Sequence, residues 1–584
     1  MYDIESFYGP NAGYVLDLYE RYLQNPSSID TETRAVFDSW LQNGHNDHAS
    51  TEARPRTVDT LALSSSSLQQ ADAPLQTDMP QPVNEGVAPQ VSQIVAASAL
   101  AHAIRERGHL GARLDPLGSE PLGDPALLSE THGLTDEDLA HLPPNVVGGH
   151  SAEGAANALE AIQTLRDMYS GTISYEFDQV KSPAERQWLR DAVGLRLYHS
   201  MPNPIEARKL LKRLTQVEAF ERYLHQTFPG QKRFSIEGTD ALIPMLDEII
   251  HAAIDSETRE LIIGMAHRGR LNVLAHILEK PYGAILTEFG HAKREEGVPL
   301  TDTFGFGWTG DVKYHLGAEY ILGEGTSHVD LKIVLAPNPS HLEFVNPVIE
   351  GMTRAAQEIR SVTGPPLLDV DHTLPILIHG DAAFPGEGIV AETMNLWQLR
   401  GYWVGGTIHI IVNNQLGFTA GPEDSRSTHF ASDVAKGFEI PIIHANADDP
   451  YACLTAVRIA HAYRDNFHKD ILVDLVGYRR WGHNEGDEPA FTQPQMYDVI
   501  RSHPTVRELF AQRLEREGLV PKEESDAMLQ DAFAVLEQAK RDADSGAYQT
   551  DPTEQEGANG HSIEVASASN VSAEQLTHWN QELL

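Results

Sequence analysis

Between residues 234 and 505 short unbroken apolar runs alternate with turns rich in Gly, Asn and Pro and with stretches of helical periodicity. The runs are LIIGM (261–265), LKIVLA (331–336), PILIH (375–379), TIHIIV (407–412), PIIH (441–444) and ILVDLV (471–476). A strand that is apolar at every position has no face to give to water, so it belongs in a parallel sheet covered by helices on both sides. The pattern predicts an α/β domain with a doubly wound, mostly parallel sheet over 234–505, whose ligands sit beyond the carboxyl ends of the strands. Residues 93–233 show mainly helical spacing broken by turn chemistry at 115–118 and 143–144, which predicts a helical domain. Residues 46–92 turn to Ser, Gln, Pro, Ala and Asp and read as a disordered linker, while 1–45 read as a small helical arm with two short helices. From 506 to 584 a charged helical hairpin pattern (506–543) precedes a flexible Gly-, Ser- and Gln-rich tail.

Composition narrows the function classes. No run of about eighteen apolar residues occurs, and MYDIESFYGP has neither the basic flank nor the apolar core of a signal peptide, which predicts a cytoplasmic protein off the membrane. A formal charge of −40, from 44 Lys and Arg against 84 Asp and Glu, opposes nucleic acid and anionic lipid by repulsion. The excess acid reads as solvating surface, so an anionic ligand needs a local cluster of positive groups. The single cysteine, Cys453, permits no internal disulfide and no thiolate zinc site, and reads as core.

Chemistry gathers in the turns after the apolar runs. Gly380-Asp381-Ala382-Ala383 follows one and Asn413-Asn414-Gln415-Leu416-Gly417 the next. A carboxylate and a carboxamide oxygen at neighbouring strand ends suit Mg²⁺, which keeps positions for phosphate oxygens and water. The structural alternative is that Asp381 and Asn413 only cap turns. His267-Arg268-Gly269-Arg270 precedes a helix pattern starting near Leu271, where cations and a helix start favour an anion; the alternative is a pair of surface arginines. His315 falls on a loop. Ser340-His341-Leu342-Glu343 carries the S-x-x-E capping-box pattern, a structural reading that coexists with binding.

The spacing Gly-Asp, about thirty residues, Asn-Asn resembles the thiamine-diphosphate signature. The segments GDAAFPGEGIVAETMNLWQL, IIVNNQLGFT, GYRRWGHNEGDEP, GMAHRGRLNVL, GHLGARLDPLG and FSIEGTDALIPML are similar to the 2-oxoglutarate dehydrogenase family, in its decarboxylating component, over most of residues 98–510. The resemblance implies a thiamine-diphosphate-binding fold over 234–505 with thiamine diphosphate and Mg²⁺ as cofactors. It implies Asp381, Asn414 and the backbone carbonyl of Leu416 as metal ligands. Arg268, Ser340, Leu342, Asp381, Ala382, Ala383, Asn414 and Leu416 become cofactor contacts, and His267 and His315 ligands of the 2-oxo acid. Ala382 stands where the general signature has a third glycine, a departure this branch shares. His483, in the GYRRWGHNEGDEP loop, is left unassigned.

The implied reaction is oxidative decarboxylation of 2-oxoglutarate, with succinyl transfer to a lipoyl group of a dihydrolipoyl succinyltransferase; the cofactor carries the carbanion chemistry and the protein positions it. The arm FYGPNAGYVLDLYERYLQNPSSID is similar to the family segment that associates with the acyltransferase core of the multienzyme complex. The resemblance also implies a glutamate on a pyrimidine-binding domain that this sequence does not show. The expectation is therefore an amino-terminal part of the enzyme, working as a homodimer or as a heterotetramer with a chain carrying that domain. Alternatives are a non-catalytic truncated scaffold, a 2-oxoadipate-type dehydrogenase, and a nicotinamide enzyme, the last weakened by the absence of G-x-G-x-x-G at 380–388.

Overall fold

The computed structural model describes Arg34 and residues 88–199, 203–290, 312–323, 330–361, 366–484, 486–548 and 572–583. All of the predicted arm over 1–45 except Arg34, and nearly all of the predicted linker over 46–92, lie outside these residues. A helix, Ala88–Arg107, already begins inside the stretch assigned to the linker, because Ala97, Leu100, Ala101 and Ile104 recur at helical spacing and are fully buried.

The strands, in chain order, are β1 (Ile173–Glu176), β2 (Glu260–Met265), β3 (Ala318–Leu322), β4 (Leu331–Leu335), β5 (Glu358–Ile359), β6 (Leu367–Leu368), β7 (Thr373–Gly380), β8 (Ile408–Asn413), β9 (Ile442–Asn446) and β10 (Ile471–Val476). Eight of them form one sheet in the order β1-β9-β10-β8-β7-β2-β4-β3, and β5 pairs with β6 in a separate ribbon. The six inner strands are mutually parallel, with β1 and β3 antiparallel at the edges. Each predicted run is an inner strand. Those runs are continuous because β8, β9 and β10 are buried at every position.

The edge strands were not predicted. β1 lies inside the stretch expected to be helical, so residues from 93–233 complete the sheet; β3 alternates in burial, as a strand with one covered face does. After the turn that follows β7 the chain forms a short helix, Gly388–Met394.

The predicted hairpin is present as the helices Val506–Arg516 and Lys522–Asp544. It joins the main body: Val506, Phe510 and Leu514 share a core with Ala207, Leu211 and Leu214 of the helix Pro204–Thr227. A further helix, Ala573–Leu583, stands where a flexible tail was expected. Cys453 is buried core.

Because the inner strands are parallel, β2, β4, β7, β8 and β10 all end at one edge of the sheet. The chain passes from β2 to β4 on one side of β2 and returns to β7 on the other, so the connections diverge between β2 and β7. A crevice for a ligand opens at such a point.

Candidate functional site

The turn after β8 shows most clearly how neighbouring side chains are assigned to different work. Asn413 is fully occupied: its Nδ2 donates to Asp474 Oδ1 (3.1 Å) and its Oδ1 accepts from Gln415 N (3.1 Å). Gln415 takes a left-handed φ of 62° and is tied down, its Nε2 donating to Asp115 Oδ1 (2.8 Å) and to the Gly477 carbonyl (2.9 Å). This bracing presents Asn414. The Asn414 backbone N–H donates to Asp381 Oδ1 (3.3 Å), linking the turns after β7 and β8, while its own Oδ1 is buried without a hydrogen-bond partner. A buried carboxamide oxygen left so costs about 1–3 kcal/mol.

Asp381 is 2% exposed, and burial pushes its carboxyl up to about 6 against the nearby Arg426 guanidinium. A buried carboxylate with a raised pKa beside an unpartnered carbonyl-type oxygen is a donor set for a hard cation. The Leu416 side chain packs with Tyr478, Tyr497 and Ile500, so a ligand would meet this residue through its backbone. At Gly417 a Cβ would fall 2.6 Å from Ala382 Cβ, which shows how closely the two turns approach. Ala382 and Ala383 open the short helix Ala383–Gly386, placing main-chain N–H groups beside Asp381.

The turn after β2 separates its two arginines. Arg270 is not a surface residue: it is fully buried and donates to the carbonyls of Met265, Leu316 and Ala336, bracing three segments. Arg268 stays at the site. It donates to the carbonyls of Ser235 (2.9 Å) and His483 (3.0 Å), and burial pulls its pKa down to about 10.

His267 and His315 come together with ring centroids 4.8 Å apart, and His315 Nδ1 lies 2.8 Å from the Asn338 carbonyl. Phe234 packs on His267 (5.3 Å) and on His483 (5.6 Å), and Phe418 also packs on His483 (5.0 Å). Burial, helped by Arg268 and Arg479, pulls the His483 pKa down to about 4, so its imidazole is neutral at physiological pH. His483 is thus part of the cluster that contains His267. The sequence signal was its own loop, GYRRWGHNEGDEP; what it lacked was any sign of the two phenylalanines, which come from distant segments.

Ser340 and Leu342 are exposed on the segment between β4 and the helix Val345–Gln357. The capping box predicted for Ser340 and Glu343 does not form, because the helix starts later and Phe344 is its N-cap. Glu343, in a left-handed conformation, instead accepts through Oε2 from Asn346 Nδ2 (2.9 Å) and faces His379 Nδ1 (2.6 Å) on β7.

The sheet edge therefore brings together a buried carboxylate, an unpartnered carboxamide oxygen, a guanidinium and an imidazole cluster. The profile of the dehydrogenase E1 component family matches residues 237–551, and that of the 2-oxoglutarate dehydrogenase N-terminus matches residues 5–43. The 2-oxoglutarate dehydrogenase E1 component of Bacillus velezensis is 47% identical over 92% of this chain and 55% of its own length. That of Bacillus subtilis is 49% identical over 89% of this chain and 52% of its own, and that of an Exiguobacterium species 44% over 99% and 58%. The chain spans about half the length of the curated relatives it matches.

Proposed function

This chain belongs to the dehydrogenase E1 component family, and from that premise we propose that it binds thiamine diphosphate and Mg²⁺ at the sheet edge and serves the oxidative decarboxylation of 2-oxoglutarate. The observation that carries this reading is the buried, unpartnered Asn414 Oδ1 beside the buried Asp381 carboxyl. When bound, thiamine diphosphate supplies the carbanion that attacks a 2-oxo acid.

The remaining roles are those of the chain. Asp381, Asn414 and the Leu416 carbonyl hold Mg²⁺. Arg268, the backbone at Ala382 and Ala383, Ser340 and Leu342 hold the diphosphate end. His267 and His315 donate hydrogen bonds to the carboxylates of the substrate, with His483 closing the same cluster. Phe234 packs against the imidazoles of His267 and His483. Chain length is the open specificity question at this site, since 2-oxoadipate differs from 2-oxoglutarate by one methylene, a difference of about 1–3 kcal/mol in an apolar pocket.

The same reading extends to partners. The succinyl unit passes to the lipoyl group of a dihydrolipoyl succinyltransferase, residues 5–43 engage the core of that complex, and the assembly is a homodimer or includes a chain with the pyrimidine-binding domain. It works in the cytoplasm. No described helix is long and apolar enough to cross a membrane, and the net charge of −40 disfavours nucleic acid as a partner.

Calorimetry with thiamine diphosphate, with and without Mg²⁺, tests the site. Saturable binding that requires Mg²⁺ and disappears in Asp381→Ala is expected; binding indifferent to the metal, or none, overturns the reading in favour of a scaffold that has lost its cofactor.

A further inference from the structure

A second site lies away from the strand ends, among the helices Ala88–Arg107, Ala158–Tyr169 and Pro183–Gly194 and the turn at 149–151. They enclose a cavity of about 210 Å³ whose wall includes Arg105, Arg190, His150 and Ser151. Asp191 is the one carboxylate among the described residues of that wall, and it is engaged by His150 Nε2 at 2.8 Å. The other imidazole nitrogen, Nδ1, faces Glu153 on the outer side (2.9 Å), and Arg190 donates to Asp178 (2.8 Å).

Two groups are left over. Arg105 donates to the carbonyls of Val147 (3.1 Å) and Gly148 (2.5 Å) and to no carboxylate among the described residues, although the chain carries forty more acidic than basic side chains. Its guanidinium lies near enough to that of Arg190 for the two to repel. Ser151 is 4% exposed and its Oγ is buried without a hydrogen-bond partner. Carbonyl oxygens solvate a guanidinium without neutralising it, and a buried hydroxyl left unmade costs about 1–3 kcal/mol. Gly149, at φ 69°, shows that the site is shaped: a Cβ there would stand 3.1 Å from Arg105 Nη2, so bare backbone lets the guanidinium lie against the turn.

We propose that this cavity is a binding site for a phosphate group, held by Arg105, Arg190 and Ser151. Two guanidinium forks and a hydroxyl come from two helices and a turn, which matches a tetrahedral oxyanion with three or four acceptor oxygens better than a planar carboxylate with two. The volume admits inorganic phosphate or a small phosphomonoester and is too small for a dinucleotide. The site uses no residue of the sheet edge, so it stands whether or not thiamine diphosphate binds there.

The test is calorimetry on the full chain with inorganic phosphate, glycerol 3-phosphate and succinate at matched ionic strength, repeated with Arg105→Gln, Ser151→Ala and Arg268→Gln. Saturable phosphate uptake that weakens about tenfold in Arg105→Gln and severalfold in Ser151→Ala, and is unchanged in Arg268→Gln, is expected. Tighter binding of glycerol 3-phosphate than of inorganic phosphate identifies a phosphomonoester as the occupant, and the reverse identifies the free ion; either supports the site. Uptake that follows Arg268→Gln instead of Arg105→Gln places the phosphate at the sheet edge and overturns the proposal, as does a preference for succinate or no uptake at all. Should Arg105→Gln fail to fold, Arg190→Gln and Ser151→Ala decide in its place.

Discussion

Two buried polar clusters stand side by side at the ends of β8 and its neighbours, and they are built on opposite plans. One is closed. Asn413 donates to Asp474, His444 on β9 donates from its two ring nitrogens to Asp474 (3.0 Å) and Glu176 (2.9 Å), and Glu176 on β1 is further met by His109 and Lys436. The other is open: Asp381 and Asn414 share one hydrogen bond, and Asn414 Oδ1 has none of its own. Buried polar networks stabilise a fold when complete, and a group left incomplete is where a ligand gains most. Adjacent asparagines thus carry different duties, and substitution can separate them.

The largest difference is expected at Asn414. Asn414→Leu removes an unsatisfied oxygen, so the midpoint of denaturant unfolding should hold or rise, while Mg²⁺-dependent thiamine diphosphate binding falls on the order of 100-fold by calorimetry. Asn413→Leu should do the reverse. It strips the Asp474 carboxylate of a partner and lowers unfolding stability by about 2 kcal/mol in denaturant melts, with binding lost only as far as the fold is lost. If both variants behave alike, the contrast between closed and open clusters fails.

Acidity sharpens the same contrast. Burial pulls the His444 imidazolium down, but its hydrogen bonds to Asp474 and Glu176 outweigh this and hold its pKa at about 9. A histidine raised above its ordinary value of about 6.5 contributes stability that is complete below that value and is lost as pH rises through about 9. Unfolding free energy should therefore decline from pH 6.5 to 9 with a slope of at most about 1.4 kcal/mol per unit. His444→Gln should start lower and lose that decline; an equally steep decline in the variant would mean another group titrates. The smallest effect is expected at the contact between turns: Gly417→Ala should weaken cofactor binding about threefold by pressing on Ala382, and Ala382→Gly in the same chain should restore part of it.

The parts of this architecture legible in the sequence are those that physical chemistry writes locally. The inner strands show because double burial demands unbroken apolar runs, as in ILVDLV of β10. β1 stayed hidden because ISYE is too short to carry a pattern and sits among helices. At the site, Asp381 and Asn414 were visible as residue types at strand ends. That Asn413 rather than Asn414 is saturated depends on Asp474, 61 residues later. Arg270 and Arg268 are indistinguishable as letters, and only the carbonyls of Met265, Leu316 and Ala336 make one a brace. Glu343 was misread as a cap because the sequence does not reveal where its helix begins.

One tether has a bearing on how the molecule is made. Gln415, which sets the conformation of the turn carrying Asn414, is pinned by Asp115, and the two are 300 positions apart in the chain. Closing so long a loop has to be offset by contacts that form only once the intervening helices and strands are in place. The Asn414 turn is therefore fully braced only once the segment around residue 115 has docked. A chain misdocked near residue 115 keeps every residue of the sheet edge but lacks the tether that fixes the Asn414 turn, and cofactor retention then becomes a readout of completed folding.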